Sequence, residues 1–155
     1  MRDASERTGD AEKERSRLCR PPWGGDVAAR RQRGEALPHD AKARGDLGEN
    51  IAAQYLTERG FEILARQWRC RYGELDLIAR DSFGVIRFVE VKLRKRGGIA
   101  GREAVDAKKR ERLRKTALCW LAEHDPDAVT RFDVAEIRAD PDGLFRLNYI
   151  SDAFA

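Results

Sequence analysis

Apolar side chains in this sequence recur first at the spacing of a helix and then at the spacing of strands. Within residues 45–59, Leu47, Ile51 and Tyr55 follow one another at intervals of four, which predicts an amphipathic helix that ends at Gly60. Segments at 61–71, 73–81, 85–94, 131–138 and 144–150 have the composition and the bounding turns of strands. Residues 102–124 predict a second helix, whose inward-facing residues are Val105, Leu113, Ala117, Leu118 and Leu121.

The order of these elements, α-β-β-β-α-β-β, predicts an α/β fold with a mixed sheet flanked by helices. Gly97, Gly98 and Gly101 predict a mobile loop between the third strand and the second helix. Residues 1–42 are rich in Arg, Glu, Asp, Gly and Pro and contain few large apolar residues. We therefore expect a disordered N-terminal extension over 1–42 and one ordered domain over 43–155.

The overall composition argues against several classes of protein. The 31 basic and 27 acidic residues give a net charge of +4, which permits nucleic-acid binding without arguing for it. No run of about 18 apolar residues occurs, so neither a membrane-spanning segment nor a membrane partner is expected. Three widely separated cysteines argue against a disulfide framework and against a zinc site, and they predict a cytoplasmic location.

The candidate chemistry lies on the second and third predicted strands. Because strand side chains alternate between faces, Glu74 and Asp76 share one face, and Glu90 and Lys92 share a face of the next strand. The turn at 81–84 makes the two strands a hairpin, which places Asp76 and Glu90 on neighbouring strands about 4.8 Å apart. Two carboxylates at that separation repel, and a divalent cation relieves the repulsion. With a lysine placed to stabilise negative charge, the pattern indicates metal-assisted phosphodiester hydrolysis.

Each of these signals has a plainer interpretation when it is taken alone. A Glu-Val-Lys sequence fits a solvated strand edge, and Glu74 fits a surface acid beside a turn, with Leu75 and Leu77 facing the core together. Glu49 lies at the edge of the apolar stripe of the first helix, where an exposed acid is expected. Lys109 lies between two core positions and is expected to extend its ammonium group to solvent.

Several motifs, spread over about residues 43–155, resemble those of the bacterial YraN family, also called UPF0102. They are RG at 44–45, GENIAAQYL at 48–56, GFEIL at 60–64, GELDLIA at 73–79, FVEVKLR at 88–94, Lys109 with Leu113, RFDV at 131–134 and DAF at 152–154. Because these motifs occur in order and at consistent spacing, the resemblance is specific for the whole predicted domain.

The resemblance implies a relation to the PD-(D/E)XK nuclease superfamily and to archaeal Holliday-junction resolvases. It therefore implies a restriction-endonuclease-like core with the order α-β-β-β-α-β. It maps Asp76 onto the first acid of the superfamily motif, and it maps Glu90 and Lys92 onto the E-X-K pair. The residue before Asp76 is Leu75, whereas the superfamily motif has proline at this position. Glu49 corresponds to the acid on the first helix in the resolvase branch, and Lys109 corresponds to a basic position on the helix after the third strand.

The residue pattern and the family resemblance together lead to the hypothesis of a Mg²⁺-dependent endonuclease that hydrolyses phosphodiester bonds in DNA. Branched or damaged DNA is the expected substrate, and Mn²⁺ is an alternative metal. The expected site residues are Glu49, Asp76 and Glu90 for the metal, Lys92 for the water or phosphate, Arg94, Lys109 and Arg112 for the nucleic-acid backbone, and Glu74 as a further candidate. Resolvase-like nucleases often act as homodimers, so the resemblance also implies one. Two alternatives stay open, a non-catalytic nucleic-acid-binding module on a nuclease scaffold and an adaptor for another protein.

Overall fold

The computed structural model describes residues 27–30, 37–95, 105–139 and 144–154. The elements are β1 (Val27–Arg30), α1 (Ala41–Glu58), β2 (Glu62–Cys70), β3 (Gly73–Arg80), β4 (Ile86–Lys95), α2 (Ala107–His124), β5 (Thr130–Ala139) and β6 (Leu144–Phe154). The predicted order of helices and strands is confirmed, with boundaries that move by a few residues. None of the helices described is long and apolar enough to cross a membrane.

The six strands form one mixed sheet in the order β1-β6-β5-β4-β3-β2. Strands β4 and β5 are parallel, which α2 makes possible as the crossover between them, and the other neighbouring pairs are antiparallel. Strand β1 lies within the segment 1–42, for which we expected disorder. In the structure, Val27–Arg30 forms an edge strand that pairs with β6. The rest of 1–36 and the predicted glycine loop lie outside the described residues.

Each helix begins at an aspartate that caps its N-terminus. Asp40 accepts a hydrogen bond from the backbone N–H of Ala43 at 3.0 Å, and Asp106 accepts one from that of Lys109 at 2.8 Å. Helix α1 then approaches β4 closely at Gly48, where a Cβ atom would lie 3.3 Å from side-chain atoms of both Val91 and Leu93. The missing side chain at position 48 therefore brings the next residue, Glu49, against the sheet.

Two apolar clusters fill the space between the sheet and its helices. The first includes Leu56 of α1 with Leu77, Val89, Ile137 and Tyr149 of the sheet. The second packs α2 on the opposite face, and its members include Ile78, Phe88, Leu113, Ala117 and Trp120. The burial of Leu113 and Ala117 confirms part of the predicted helix face. The prediction for Leu118 was wrong, because this side chain is 64% exposed and the inward position is taken by Trp120.

The regular alternation of side chains fails in β3. Leu75 packs in the cluster on the α2 side, whereas Leu77 packs in the cluster on the α1 side, so the two leucines do not share a face as predicted. The pairing of β3 with β4 extends from Arg80↔Ile86 only as far as Leu77↔Val89. Beyond that pair the two strands separate, and Asp76 is the first residue past the separation.

Asp133 lies at the centre of a fully buried polar network on β5. Its carboxylate is 0% exposed, accepts hydrogen bonds from Tyr149 and from the backbone N–H of Asp152, and forms an ion pair with Arg87 at 3.3 Å. Arg87 also pairs with Asp81 at 3.2 Å. Since every group in the network has partners, we assign Asp133 a structural role.

We expect Asp133→Ala to lower the free energy of unfolding by about 3–5 kcal/mol, because it removes one partner of a buried ion pair. Urea unfolding followed by circular dichroism measures this. The matched control is Glu62→Gln, which removes the exposed Arg80–Glu62 pair and should cost less than about 1 kcal/mol. Equal losses in the two variants would contradict the structural role of Asp133.

Candidate active site

The site lies where β3 and β4 separate. Asp76 turns its carboxylate toward β4, and Oδ2 accepts a hydrogen bond from the backbone N–H of Val91 at 2.9 Å. This bond satisfies a backbone donor just past the last ladder pair between the two strands. Asp76 is therefore fixed between two strands and is not on a solvated strand edge.

Glu49 is brought to the site by the close packing of α1 on β4. Its exposure is only 5%, so the expectation of an exposed helical acid was wrong. Its Oε2 accepts a hydrogen bond from the side-chain amide of Gln67 at 2.8 Å, and the same amide donates to Asp46 at 2.7 Å. Gln67 reaches both acids from β2 with a left-handed backbone, at φ 48°. Nothing in the sequence around Gln67 indicates this conformation, which glutamine rarely adopts.

Three carboxylates converge on one point. One oxygen each from Glu49, Glu74 and Asp76 lies within 4.8 Å of the others. Glu74 is half-buried and also pairs with Arg69 at 3.0 Å. The structure thus places Glu74, a further candidate from the sequence, beside two of the three acids predicted to hold a metal.

The third predicted metal ligand, Glu90, is held by two lysines. Its Oε1 accepts a hydrogen bond from Nζ of Lys109 on α2 and lies 3.2 Å from Nζ of Lys92 on the same strand. Lys109 therefore points into the site and not to solvent, which corrects the expectation based on its helix position. The Glu90 carboxylate also acts on Asp76, because its negative charge raises the pKa of Asp76, and this links the lysines to the group of three acids.

Burial is the main cause of the raised pKa values of Asp76 and Glu49. It raises the pKa of Asp76 to about 7, and the negative charge of Glu90 adds to this effect, while the hydrogen bond from Val91 opposes it. Burial likewise raises the pKa of Glu49, against the opposing hydrogen bond from Gln67. At neutral pH the Asp76 carboxyl is therefore partly protonated in the metal-free protein.

The lysines set the protonation of Glu90. Burial by itself raises the pKa of Glu90, but the hydrogen bond and charge of Lys109, with those of Lys92, lower it overall. Burial lowers the pKa of Lys92, and the neighbouring Lys109 adds to that effect. Burial by itself lowers the pKa of Lys109. The hydrogen bond to Glu90 outweighs burial, so the pKa of Lys109 is raised overall. Asp76 and Glu90 therefore favour opposite protonation states although they are neighbours.

An open cavity of about 270 Å³ gives access to these groups. Strand residues form one wall and α2 forms the other; the lining residues are Tyr72, Gly73, Glu74, Asp76, Glu90, Lys109, Arg112, Leu113 and Thr116. Arg112 thus faces the cavity, as a phosphate-binding residue requires. No sequence pattern indicated that Tyr72 and Thr116 would line the cavity. Their positions follow from the β2–β3 turn and from the packing of α2, neither of which has a residue pattern of its own.

Arg94 lies apart from this cavity. It extends from β4 beyond Lys92 and forms an ion pair with Glu136 of β5 at 3.5 Å, with its side chain 21% exposed. Among the cavity-lining residues Arg94 does not appear. Of the residues predicted for the site, the structure therefore brings together the acids, the two lysines and Arg112, and it leaves Arg94 on the adjoining sheet surface.

Comparison with solved structures finds SfsA of Pyrococcus furiosus, determined in complex with Ca²⁺. The similarity has a TM-score of 0.37 and 17% sequence identity, and it covers 77% of this chain and 67% of that one. A TM-score of this size supports no inference about the present protein.

Sequence relatives give a much stronger result. A UPF0102 protein of Nocardia farcinica is 52% identical over 104 residues, which is 66% of this chain and 81% of that protein. A UPF0102 protein of Symbiobacterium thermophilum is 47% identical over 113 residues, covering 71% of this chain and 94% of that protein. The model of "Uncharacterised protein family UPF0102" matches residues 48–137, which contain every acid and lysine of the site. The chain therefore belongs to the UPF0102 family, as the motifs in its sequence indicated.

Proposed function

We propose that this protein is a metal-dependent nuclease that hydrolyses phosphodiester bonds in DNA. The observation that carries the proposal is the convergence of Glu49, Glu74 and Asp76 on one point, beside a cavity that Lys109 and Arg112 also line. Clustered carboxylates of this kind are costly to bury without a cation. Basic side chains on the facing wall would meet a phosphate that enters the cavity.

The donor set fits a magnesium or manganese ion. Oxygens on opposite sides of a magnesium ion are about 4.2 Å apart, since each bond is about 2.1 Å long. The three carboxylate oxygens lie within 4.8 Å of one another, so small side-chain movements would suffice. We assign Glu49, Glu74 and Asp76 as ligands. Glu90 stays a predicted ligand, because its negative charge raises the pKa of Asp76 and a cation between the two acids would relieve this repulsion.

The chain's own residues would perform the remaining tasks. When bound, the divalent ion supplies a Lewis acid for the scissile phosphate and for the attacking water. Lys92, whose pKa is lowered by burial, would donate a hydrogen bond to the negative charge that develops on the phosphate. Lys109 would keep Glu90 ionised and oriented, and Arg112 would hold the phosphate in the cavity.

One observation favours a second candidate, a non-catalytic nucleic-acid-binding module. The Glu90 carboxylate already has two lysine partners, so its charge is neutralised within the protein without a cation. Such a module would bind nucleic acid and leave it intact. Fold alone does not distinguish the two candidates, and cleavage assays do.

We expect the purified protein to cleave DNA in Mg²⁺ or Mn²⁺, tested with labelled linear, flapped and four-way-junction DNA and with RNA. Asp76→Asn and Lys92→Gln should each reduce the cleavage rate by about 100-fold or more, because each removes a group that acts on the reacting phosphate or its metal. Arg80→Gln, an exposed change at the other end of β3, is the control and should cleave like wild type. Cleavage that survives both site substitutions would refute the assignment. Binding without cleavage would support the second candidate.

We also expect Asp76→Asn to stabilise the metal-free protein, and more so at pH 8 than at pH 5. The pKa of Asp76 is about 7 in the folded protein and near 3.8 in the unfolded chain, so ionisation favours unfolding across this range. Wild type should therefore lose stability as the pH rises, whereas asparagine does not ionise. The advantage of the variant should grow by about 2.5 kcal/mol between the two pH values.

Urea unfolding in a chelating buffer measures this difference. Glu62→Gln is the control, because it changes an exposed acid and should show no comparable growth. If Asp76→Asn raised the free energy of unfolding by the same amount at both pH values, the pKa of Asp76 would not be raised by burial.

A further inference from the structure

Two of the three cysteines lie close together in the fold, although they are far apart in the sequence. Cys70 ends β2, and Cys119 lies in the second half of α2. Both side chains are free thiols, and both are half-buried. They are near enough for each thiol to shift the pKa of the other. The two thiols are therefore a pair, which the spacing of the cysteines in the sequence did not indicate.

The strand pairing directs Cys70 toward α2. Cys70 is directly opposite Gly73 in the pairing of β2 with β3, so the two residues share a face of the sheet. A Cβ atom at Gly73 would lie 3.2 Å from Oγ1 of Thr116, which places α2 over that face. Trp68, two residues before Cys70, packs against the apolar cluster on the α2 side, as the same direction requires. The side chain of Cys70 therefore points at the helix.

Helical spacing brings Cys119 to the same place. Thr116 and Cys119 are three residues apart on α2, so they lie on one side of the helix about one turn apart. Thr116 is fully buried, whereas Cys119 is half-buried and accessible to a small oxidant. The fold thus places both thiols between the β2–β3 turn and the helix that faces it.

The surroundings of the two thiols make Cys70 the more reactive. Its sulfur accepts a hydrogen bond from the backbone N–H of Tyr72 at 3.4 Å. Burial by itself raises the pKa of Cys70, but the N–H of Tyr72 and the Cys119 thiol are among the groups that lower it overall. Burial raises the pKa of Cys119, and the neighbouring Cys70 adds to this effect. Because the thiolate is the nucleophile, Cys70 reacts first and Cys119 second.

We propose that Cys70 and Cys119 form a reversible disulfide when hydrogen peroxide oxidises the protein. The Cys70 thiolate attacks one peroxide oxygen, so an S–O bond forms as the O–O bond breaks, and the hydroxide that leaves takes up a proton to become water. Cys119 then loses its proton and attacks the sulfenic acid of Cys70. An S–S bond forms as the S–O bond breaks, and a second water leaves. The two thiols lose two electrons in all, and the peroxide gains them.

The disulfide would tie together two walls of the candidate active-site cavity. Tyr72 and Gly73 of the β2–β3 turn line the cavity on one side, and Thr116 of α2 lines it on the other. The cross-link would join these two segments directly beside the lining residues, so oxidation would restrict the movement of α2 relative to the turn. The disulfide is independent of the proposed function, because its formation needs neither a metal nor a substrate.

The test uses the full chain with Cys19→Ser, which leaves Cys70 and Cys119 as its thiols. The reduced protein is treated with hydrogen peroxide, the remaining thiols are alkylated with iodoacetamide, and the intact and digested protein are analysed by mass spectrometry. We expect a monomer that has lost two hydrogens, takes up no alkyl group and yields one cross-linked pair of peptides with both cysteines. Dithiothreitol should restore two thiols that react with iodoacetamide.

Two single-thiol variants in the same background are the matched controls. With Cys119→Ser, oxidation of Cys70 should stop at the sulfenic acid, which dimedone labels. With Cys70→Ser, Cys119 should be labelled about tenfold more slowly, because less of it is thiolate. Thermal unfolding checks that both variants fold. In the protein with both thiols, amide hydrogen exchange of the β2–β3 turn should slow on oxidation and recover with dithiothreitol.

Several outcomes would overturn the proposal. Two free thiols after oxidation, or a disulfide that forms only between two chains, would show that the pair does not close. Equal labelling of the two single-thiol variants would contradict the order of reaction, and unchanged hydrogen exchange would contradict the effect on the cavity. In the wild-type chain, a main product that links Cys19 to either thiol would also overturn the pairing. None of these results depends on whether the protein cleaves DNA.

Discussion

The hydrogen bond from the backbone N–H of Val91 to the Asp76 carboxylate is the interaction on which the candidate site depends. It joins β3 to β4 just past the point where their regular pairing ends. Because the acceptor is a side chain and not a backbone carbonyl, a carboxylate is held between two strands, where burial raises its pKa to about 7. Glu90 lies beside Asp76 on the neighbouring strand β4. Its negative charge raises the pKa of Asp76 further.

The two helices complete the site from opposite faces of the sheet. Helix α1 contributes Glu49, because Gly48 allows the helix to contact β4 closely. Helix α2 contributes Lys109, which neutralises Glu90. The contrast with Asp133 is informative, since that carboxylate is buried more deeply yet has an arginine, a tyrosine and a backbone N–H as partners. One buried acid is thus satisfied within the fold, whereas we propose that the carboxylates around Asp76 hold a cation.

The sequence predicted the parts of this structure that follow from periodicity and turn residues. Element order, the mixed sheet and the shared face of Glu90 and Lys92 all depend on local patterns, and the motifs identified the family. The failures depend on contacts between distant segments. The separate faces of Leu75 and Leu77 result from the divergence of β3 from β4, which no local pattern encodes. The exposure of Leu118 arises because the larger Trp120 fills the space against Phe88.

The sequence predicted the acids and lysines of the candidate site but not their arrangement, and it did not predict Gln67, Tyr72 or Thr116. The burial of Glu49 needed the packing of Gly48 on β4, and the support from Gln67 needed a left-handed backbone that glutamine rarely adopts. The direction of Lys109 depended on where α2 lies over the sheet, because a lysine between core positions can equally reach solvent.

The most direct test of the metal site is a crystal structure of the protein with Mn²⁺, with data collected at the manganese absorption edge. An anomalous peak among the carboxylates of Glu49, Glu74 and Asp76, lost in crystals of Asp76→Asn, is the result that our proposal predicts. A cavity without an anomalous peak at saturating Mn²⁺, with Glu90 still paired to both lysines, would contradict it.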